Sequence, residues 1–157
     1  MENKNNENIK PLYEQYSFHM SQFFQTEDSH SWRDKAYSYL NLYKTAQDRS
    51  MHLISKNGKA IGFALVNHHF RFVASGYAIA EFYICREYQK QGYGRKLAGA
   101  VFSNYLGQWE VAVAAKNASA HVFWESVISD YTQGRYEVRN NDEYDGSGFV
   151  FQSVNGG

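Results

Sequence analysis

The chain has 157 residues, and we expect a single domain over residues 1–157 with a loose polar tail at 1–8. Its 16 basic and 16 acidic residues balance, so no overall charge favours nucleic acid or an anionic membrane as a partner. Because Cys85 is the one cysteine, an internal disulfide is excluded, and no cluster of cysteines has metal-ligand spacing. Because the chain shows no signal-peptide core and no apolar run of about 20 residues, we expect a soluble, cytoplasmic protein.

Two helices are predicted before any strand. Apolar residues recur at helical spacing over 9–24, and a capping-box pattern opens a second helical stretch over 31–47. The ranges 51–55 and 60–70 then have strand character and are separated by Asn57-Gly58, a strong hairpin signal. The chain therefore begins with a helical layer and continues into an antiparallel sheet.

The remaining elements predict a mixed sheet. Strand character continues over 72–74 and 78–85, and is followed by a helix at 97–106, a strand at 109–114, a helix at 120–128 and strands at 135–139 and 148–154. Because a strand, a helix and a strand form a crossover unit, the strands on either side of the 97–106 helix should be parallel neighbours. The predicted class is α/β, more exactly an α+β mixed sheet, with an antiparallel meander, parallel central strands and a C-terminal antiparallel hairpin.

The segment between the 78–85 strand and the next helix has the character of an anion site. Gly92 and Gly94 permit a left-handed backbone and close approach of a ligand, and the first N–H groups of a helix have no intrahelical partner. Residues 86–96 also carry four basic side chains against one acidic one in a chain of zero net charge. We therefore expect a pyrophosphate to bind over Gln89, Lys90, Gln91, Gly92, Tyr93, Gly94, Arg95 and Lys96.

Three blocks in this order resemble the GCN5-related N-acetyltransferase (GNAT) family, in particular a group of uncharacterised predicted acetyltransferases. They are Glu81-Phe82-Tyr83-Ile84, Gln89-x-x-Gly92-x-Gly94 and Asn117-x-x-Ala120-x-x-Phe123-Trp124. The resemblance covers residues 50–154 and implies a GNAT-like acyl-CoA N-acyltransferase fold. It also implies acetyl-CoA as co-substrate, no metal, and direct acetyl transfer to a primary amine of an unidentified acceptor. Members of the family often pair, which leaves a homodimer open.

The same resemblance assigns the cofactor-binding residues. The glycine loop binds the CoA pyrophosphate, the strand before it pairs with the pantetheine arm, and the Asn117 block flanks the coenzyme. The residues implied are Phe82, Tyr83, Ile84, Cys85, Gln89, Lys90, Gln91, Gly92, Tyr93, Gly94, Arg95, Lys96, Asn117, Phe123 and Trp124. Asn117 could orient the pantetheine or simply cap the following helix.

Transfer to an amine needs a base, because an amine of pKa near about 10 is almost fully protonated at neutral pH. Glu81 is the candidate, with a solvated carboxylate at a strand end as the alternative. The backbone N–H of Ile84 is the candidate donor to the thioester oxygen. Many family members have a tyrosine at the position of Trp124, whose hydroxyl reprotonates the thiolate. Indole cannot supply that proton, so the other candidates for this role are Tyr83, Tyr131 and His121.

Other interpretations stay open at this point. One is a catalytically weak or inactive GNAT-like protein that binds CoA as a sensor or interaction module. Another is a nucleotide-binding protein, although neither the dinucleotide fingerprint nor the phosphate loop of nucleotide hydrolases is present. The acidic run at 142–145 could attract a cationic acceptor or form a solvated hairpin loop.

Overall fold

The computed structural model describes residues 9–24, 43 and 46–154. Helix α1 spans Lys10–Phe24, as the helical spacing of its apolar residues predicts. The second predicted helix lies outside the described residues, apart from Tyr43, which is helical, and residues 46–47, which are not. None of the helices in these described ranges has the length and apolar character that crossing a membrane requires.

The sheet of the described chain has six strands in the order β1-β2-β3-β4-β6-β5. They are β1 (Ser50–Lys56), β2 (Lys59–Asn67), β3 (Tyr77–Ile84), β4 (Gln108–Ala114), β5 (Tyr136–Arg139) and β6 (Gly146–Gln152). Strands β3 and β4 are parallel and all other neighbours are antiparallel. Helix α2 (Tyr93–Asn104) connects the parallel pair, and α3 (Ala118–Thr132) follows β4. The predicted mixed sheet and its parallel centre are therefore confirmed.

The sheet is covered on both faces, which explains why β2 is almost continuously apolar. Phe63 and Leu65 pack with the buried residues of α1, and this side is called the α1 face. Ala64 and Val66 alternate with them and pack on the opposite side with α2 and α3, which is called the α2/α3 face. The two cores are thus separated by the sheet itself.

The segment 68–76 is not a strand, so the prediction of β structure over 68–70 and 72–74 was wrong. The carboxylate of Glu110, only 2% exposed on β4, accepts the backbone N–H groups of Arg71, Phe72 and Val73 at 2.8–3.1 Å. Because these donors are bonded to a side chain, they are not available for a sheet ladder. The segment instead crosses β4 as an ordered loop.

Strands β3 and β4 diverge after a short contact. Their pairing covers only Tyr77–Ile79 against Trp109–Val111, and the rest of β3 has no partner in β4. On the other side of β3, Glu81 pairs with Leu65 and Ile79 with Val66, so Ala80 is the extra residue of a β-bulge. The sheet is consequently split at its centre, between strands that remain joined at one end.

Candidate functional site

The split between β3 and β4 opens a cleft of about 920 Å³ that reaches both faces of the sheet. On the α2/α3 face it is lined by Phe82, Asn117, Ala120 and Trp124, and on the α1 face by Tyr16, Arg49, Asn67, His69, Arg71 and Tyr144. Glu81 and the backbone of β4 lie between these two groups. A ligand on one face can therefore meet a ligand on the other only at the split.

Glu81 lies in this cleft, directly after the bulge of β3. Burial raises the pKa of its carboxyl group to about 8, because a charged carboxylate is poorly solvated there. The pKa of a surface carboxylate would be close to 4. A carboxyl group that titrates near neutral pH can accept a proton during turnover and release it afterwards, as a general base must.

The backbone N–H of Ile84 lies on the edge of β3 that β4 leaves unpaired. The N–H of the next residue, Cys85, bonds to the carbonyl of Ile61 on β2. Since successive backbone groups of a strand point to opposite sides, the N–H of Ile84 points away from β2. The carbonyl of Ile84 shares this direction and accepts the side-chain amide of Gln89 at 2.8 Å. Because β4 leaves this edge of β3 unpaired beyond Ile79, the edge offers hydrogen-bonding groups to an extended ligand.

The glycine loop forms a tight turn into α2. Gly92 has φ 93°, a left-handed conformation, and its carbonyl accepts the N–H of Lys96, which opens the helix. The N–H groups of residues 93–95 precede the first possible intrahelical bond and sit at the positive end of the helix dipole. Gly94 is needed for a different reason, because a Cβ atom there would lie 2.9 Å from the ring of Phe123. This geometry fits a phosphate group bound through backbone amides.

Among the side chains of the loop, Arg95 is already engaged. Its guanidinium forms an ion pair with Asp130 and donates to the hydroxyl of Ser126 at 2.8 Å, both on α3. Arg95 therefore ties α2 to α3, and its backbone is the part of the residue that remains for a ligand. Lys90, Gln91 and Lys96 are exposed.

Asn117 serves as helix cap and as cleft wall at once. Its Oδ1 accepts the N–H of Ala120 at 3.1 Å and so caps α3, while the residue also lines the cleft. Trp124 follows on the same helix and is 6% exposed, with its ring 4.8 Å from that of Phe82 and 4.9 Å from that of Phe123. These three rings form an apolar wall beside the glycine loop.

Tyr83 and Cys85 lie on the other side of β3, among the residues packed against α1. The hydroxyl of Tyr83 donates to the side chain of Gln15 at 2.7 Å, and burial first, then Cys85, raises its pKa, while Arg86 lowers it. Neither Tyr83 nor Cys85 is among the described residues that line the cleft. The hydroxyl of Tyr131 bonds to the carbonyl of Val154, also outside the cleft.

Sequence motifs do not reveal the polar groups on the α1 face of the cleft. Arg49 precedes β1, Arg71 lies in the 68–76 loop, Glu110 is on β4 and Tyr144 precedes β6. None of them belongs to a short motif, since each comes from a different part of the chain. Only Tyr144 lies in a segment with a sequence signal, the acidic run at 142–145, and Asp145 of that run also lines the cleft.

Comparison with known proteins identifies this architecture. The sequence profile of the Acetyltransferase (GNAT) family matches residues 12–128, so the chain belongs to that family. Family membership supports acyltransferase activity. No curated protein matches this chain in sequence.

Solved structures of acetyltransferases share the fold. PaiA N-acetyltransferase from Thermoplasma acidophilum, in complex with coenzyme A, has a TM-score of 0.65 at 14% identity, over 93% of this chain and 91% of that one. An acetyltransferase from Streptococcus agalactiae has a TM-score of 0.64 at 16% identity, over 97% of this chain and 96% of that one. Spermidine N-acetyltransferase from Vibrio cholerae, in complex with CoA and spermine, has a TM-score of 0.63 at 14% identity, over 95% of this chain and 92% of that one. At these identities the similarity establishes the fold.

Proposed function

We propose that this protein is an acetyl-CoA-dependent N-acetyltransferase that transfers the acetyl group directly to a primary amine in the β3–β4 cleft. The observation that carries the proposal is the position of Glu81, a carboxyl group of raised pKa, at the split between two separately lined faces. Acetyl-CoA would supply an activated thioester carbonyl. Two of the structurally similar acetyltransferases are described as complexes with coenzyme A, which supports this choice of co-substrate.

The α2/α3 face is the proposed binding side for the coenzyme. The N–H groups of residues 92–95 would hold the pyrophosphate, and the free edge of β3 at Phe82 and Ile84 would pair with the pantetheine amides. Asn117 and the wall of Phe123 and Trp124 would flank the arm. The cofactor-binding residues predicted from the sequence stay predictions. Tyr83 and Cys85 point away from this face of the sheet.

Two groups of the chain would carry the chemistry. Glu81 would remove the proton of the acceptor amine, directly or through water. The N–H of Ile84 would donate to the carbonyl oxygen as negative charge develops on it. Holding both reactants in one cleft would supply much of the remaining rate enhancement, because the entropy lost in bringing and orienting two molecules is then already offset by binding.

The leaving thiolate needs a proton, and Trp124 cannot provide it. Tyr83 stays a predicted donor, but its hydroxyl is bonded to Gln15 and it is absent from the described cleft lining. Tyr144 does line the cleft, and burial, more than any nearby charge, raises its pKa. We therefore add Tyr144 as the better placed hydroxyl.

The proposal is tested by two measurements on the full chain. Thermal unfolding with acetyl-CoA, CoA, ATP and NAD should show an increase in Tm with the two CoA compounds alone, since only a bound ligand stabilises the fold. Release of the CoA thiol should then depend on both acetyl-CoA and an added amine. Absence of stabilisation by any acyl-CoA would contradict the proposal.

A second candidate function is CoA binding without catalysis, as a sensor or interaction module. The observation that favours it is Trp124, a residue without an acidic proton at a position lining the cleft. Stabilisation by CoA without thiol release for any amine in a broad panel would support this second function and exclude the first.

A further inference from the structure

The α1 face of the cleft carries several basic side chains that have no role in the proposed chemistry. Arg49 and Arg71 both line it, next to His69. The guanidinium of Arg71 lies 4.4 Å from the centre of the Tyr144 ring, and that of Arg49 lies 5.5 Å from the centre of the Tyr43 ring. Both arginines are thus held against aromatic rings beside the cleft.

These arginines are on the wrong side of the sheet to serve the CoA pyrophosphate. Tyr43, below Arg49, belongs to the core of the α1 face, whereas Gly94 of the glycine loop packs against Phe123 on the α2/α3 face. The loop that carries Arg71 is bonded to Glu110. Glu110 alternates along β4 with Trp109 and Val111 of the α2/α3 core, so it points to the α1 face. The arginines therefore face the second reactant.

Arg49 has an unused donor. Its Nη2 is 3.0 Å from Nε2 of His69, but its buried Nε has no hydrogen-bond partner in the part of the chain that the structure describes. Leaving a charged donor buried and unpaired is unfavourable, and an oxyanion beside Arg49 would satisfy it. The planar guanidinium fork suits the two oxygens of a carboxylate or phosphate group.

The acidic groups of the cleft do not cancel these charges. The acids among the described residues that line it are Glu81, Glu110 and Asp145, and Glu81 is largely protonated at neutral pH. Three cations, Arg49, Arg71 and Lys116, line the same cleft and outnumber the two remaining carboxylates, Glu110 and Asp145. Asp48 is also near, 3.8 Å from His69. The cleft is therefore unsuited to a polycation.

We propose that the amine acceptor carries an anionic group, a carboxylate or a phosphate, which Arg49 and Arg71 bind on the α1 face of the cleft. The anion would orient the acceptor so that its amine points to Glu81. This inference rests on the proposed acetyltransferase function and narrows its substrate class to amino-acid-like or phosphorylated amines. Spermidine-like polyamines and simple alkylamines should be poor acceptors.

The test compares amines that share a carbon chain and differ in the anionic group at its end. Thiol release is measured with β-alanine against propylamine, phosphoethanolamine against ethanolamine, and with spermidine. The wild-type protein should use one of the two anionic amines at least about tenfold better than its matched partner, since one charge-assisted hydrogen bond supplies that factor. The two pairs distinguish a carboxylate from a phosphate. Equal or better use of propylamine, ethanolamine or spermidine would overturn the inference and leave the proposed function intact.

Substitutions of the two arginines test whether they cause the preference for an anionic amine. In R71Q the KM for the anionic amine should rise about tenfold, with the KM for acetyl-CoA and the KM for the uncharged amine unchanged, and R71K should restore part of the loss. R49Q should act in the same direction. R135Q is the matched control, because Arg135 is exposed and lies outside the cleft. An unchanged KM for the anionic amine in both R71Q and R49Q would contradict the assignment.

A binding measurement keeps the two proposals separable. Titration of N-acetyl-β-alanine and N-acetylphosphoethanolamine into the protein with CoA, followed by calorimetry, does not depend on turnover. Binding of either compound that is lost in R71Q supports the anion site even if no amine is acetylated, in which case only the proposed function fails. Absence of binding of both compounds to the wild-type protein would overturn the anion site.

Discussion

The carboxylate of Glu110 accepts the backbone N–H of Arg71 at 2.9 Å and so fastens the 68–76 loop to β4. Replacement of Glu110 by glutamine leaves one acceptor oxygen, which can keep the N–H groups of Phe72 and Val73, and puts an amide N–H against the N–H of Arg71. We expect the free energy of unfolding to fall by about 2 kcal/mol, because a buried backbone donor loses its partner and meets a second donor.

Urea unfolding of E110Q checks this prediction. The matched control is E137Q, since Glu137 is exposed and pairs with Arg139 at the surface. Unfolding of this control should be unchanged within error. If E110Q were as stable as E137Q, the loop would not depend on this carboxylate.

The pH dependence of activity should report Glu81. A general base acts in its deprotonated form, so kcat/KM for the amine should rise as the pH increases through about 8, the raised pKa of this carboxyl group. E81Q removes the titrating group, and its activity should fall by roughly 100-fold with no inflection near that pH. E125Q, an exposed change on α3, provides the control and should keep the wild-type profile. A wild-type profile in E81Q would exclude Glu81 as the base.

Glu81 should also affect stability, in a direction set by its pKa. Its pKa rises from 4.5 in the unfolded chain to about 8 in the folded one, so the folded state holds an extra proton between these values. The free energy of unfolding should therefore decrease by up to about 1.4 kcal/mol per pH unit across that window and level off above it, as far as this group is concerned. E81Q should lose this slope. Chemical unfolding of the wild-type protein and of E81Q at pH 5 and pH 8 measures this pH dependence. An equal change in the free energy of unfolding in both proteins would contradict the prediction.

The contact between Gly94 and Phe123 should couple stability to coenzyme binding. In G94A the new methyl group would meet the Phe123 ring at 2.9 Å, so the ring must move away from the wall beside the glycine loop. We expect a loss of about 1–3 kcal/mol in stability, as for other overpacked positions, and a higher KM for acetyl-CoA. F123L should cost less in the G94A background than in the wild type, because a smaller side chain relieves the contact. Additive losses in unfolding experiments would show that the two positions act independently.

The fold was largely predictable because its elements carry local signals. Helical spacing gave α1, the Asn57-Gly58 turn gave the first hairpin, and the crossover unit gave the parallel centre. The strand predicted over 72–74 failed since its backbone bonds to Glu110, almost 40 residues later in the chain, and no local pattern reports such a contact.

The residues of the candidate site likewise fall into those with a local sequence signal and those that meet only through distant contacts. Gly92 and Asn117 act through neighbours in sequence, as a helix start and a helix cap, so motifs reveal them. Arg49, Arg71 and Tyr144 meet only after the sheet has formed. The raised pKa of Glu81 likewise depends on the protein packed around it, which the sequence does not display.

The short pairing of β3 with β4 has a consequence for how the protein can diversify. Because the split places the glycine loop on one face and Arg49 with Arg71 on the other, substitutions at the acceptor side need not alter the residues proposed to hold the coenzyme. Selection could therefore exchange the arginines for acidic or neutral side chains while the donor half stays constant. A single interrupted sheet would in this way support a series of transferases with one donor and many acceptors.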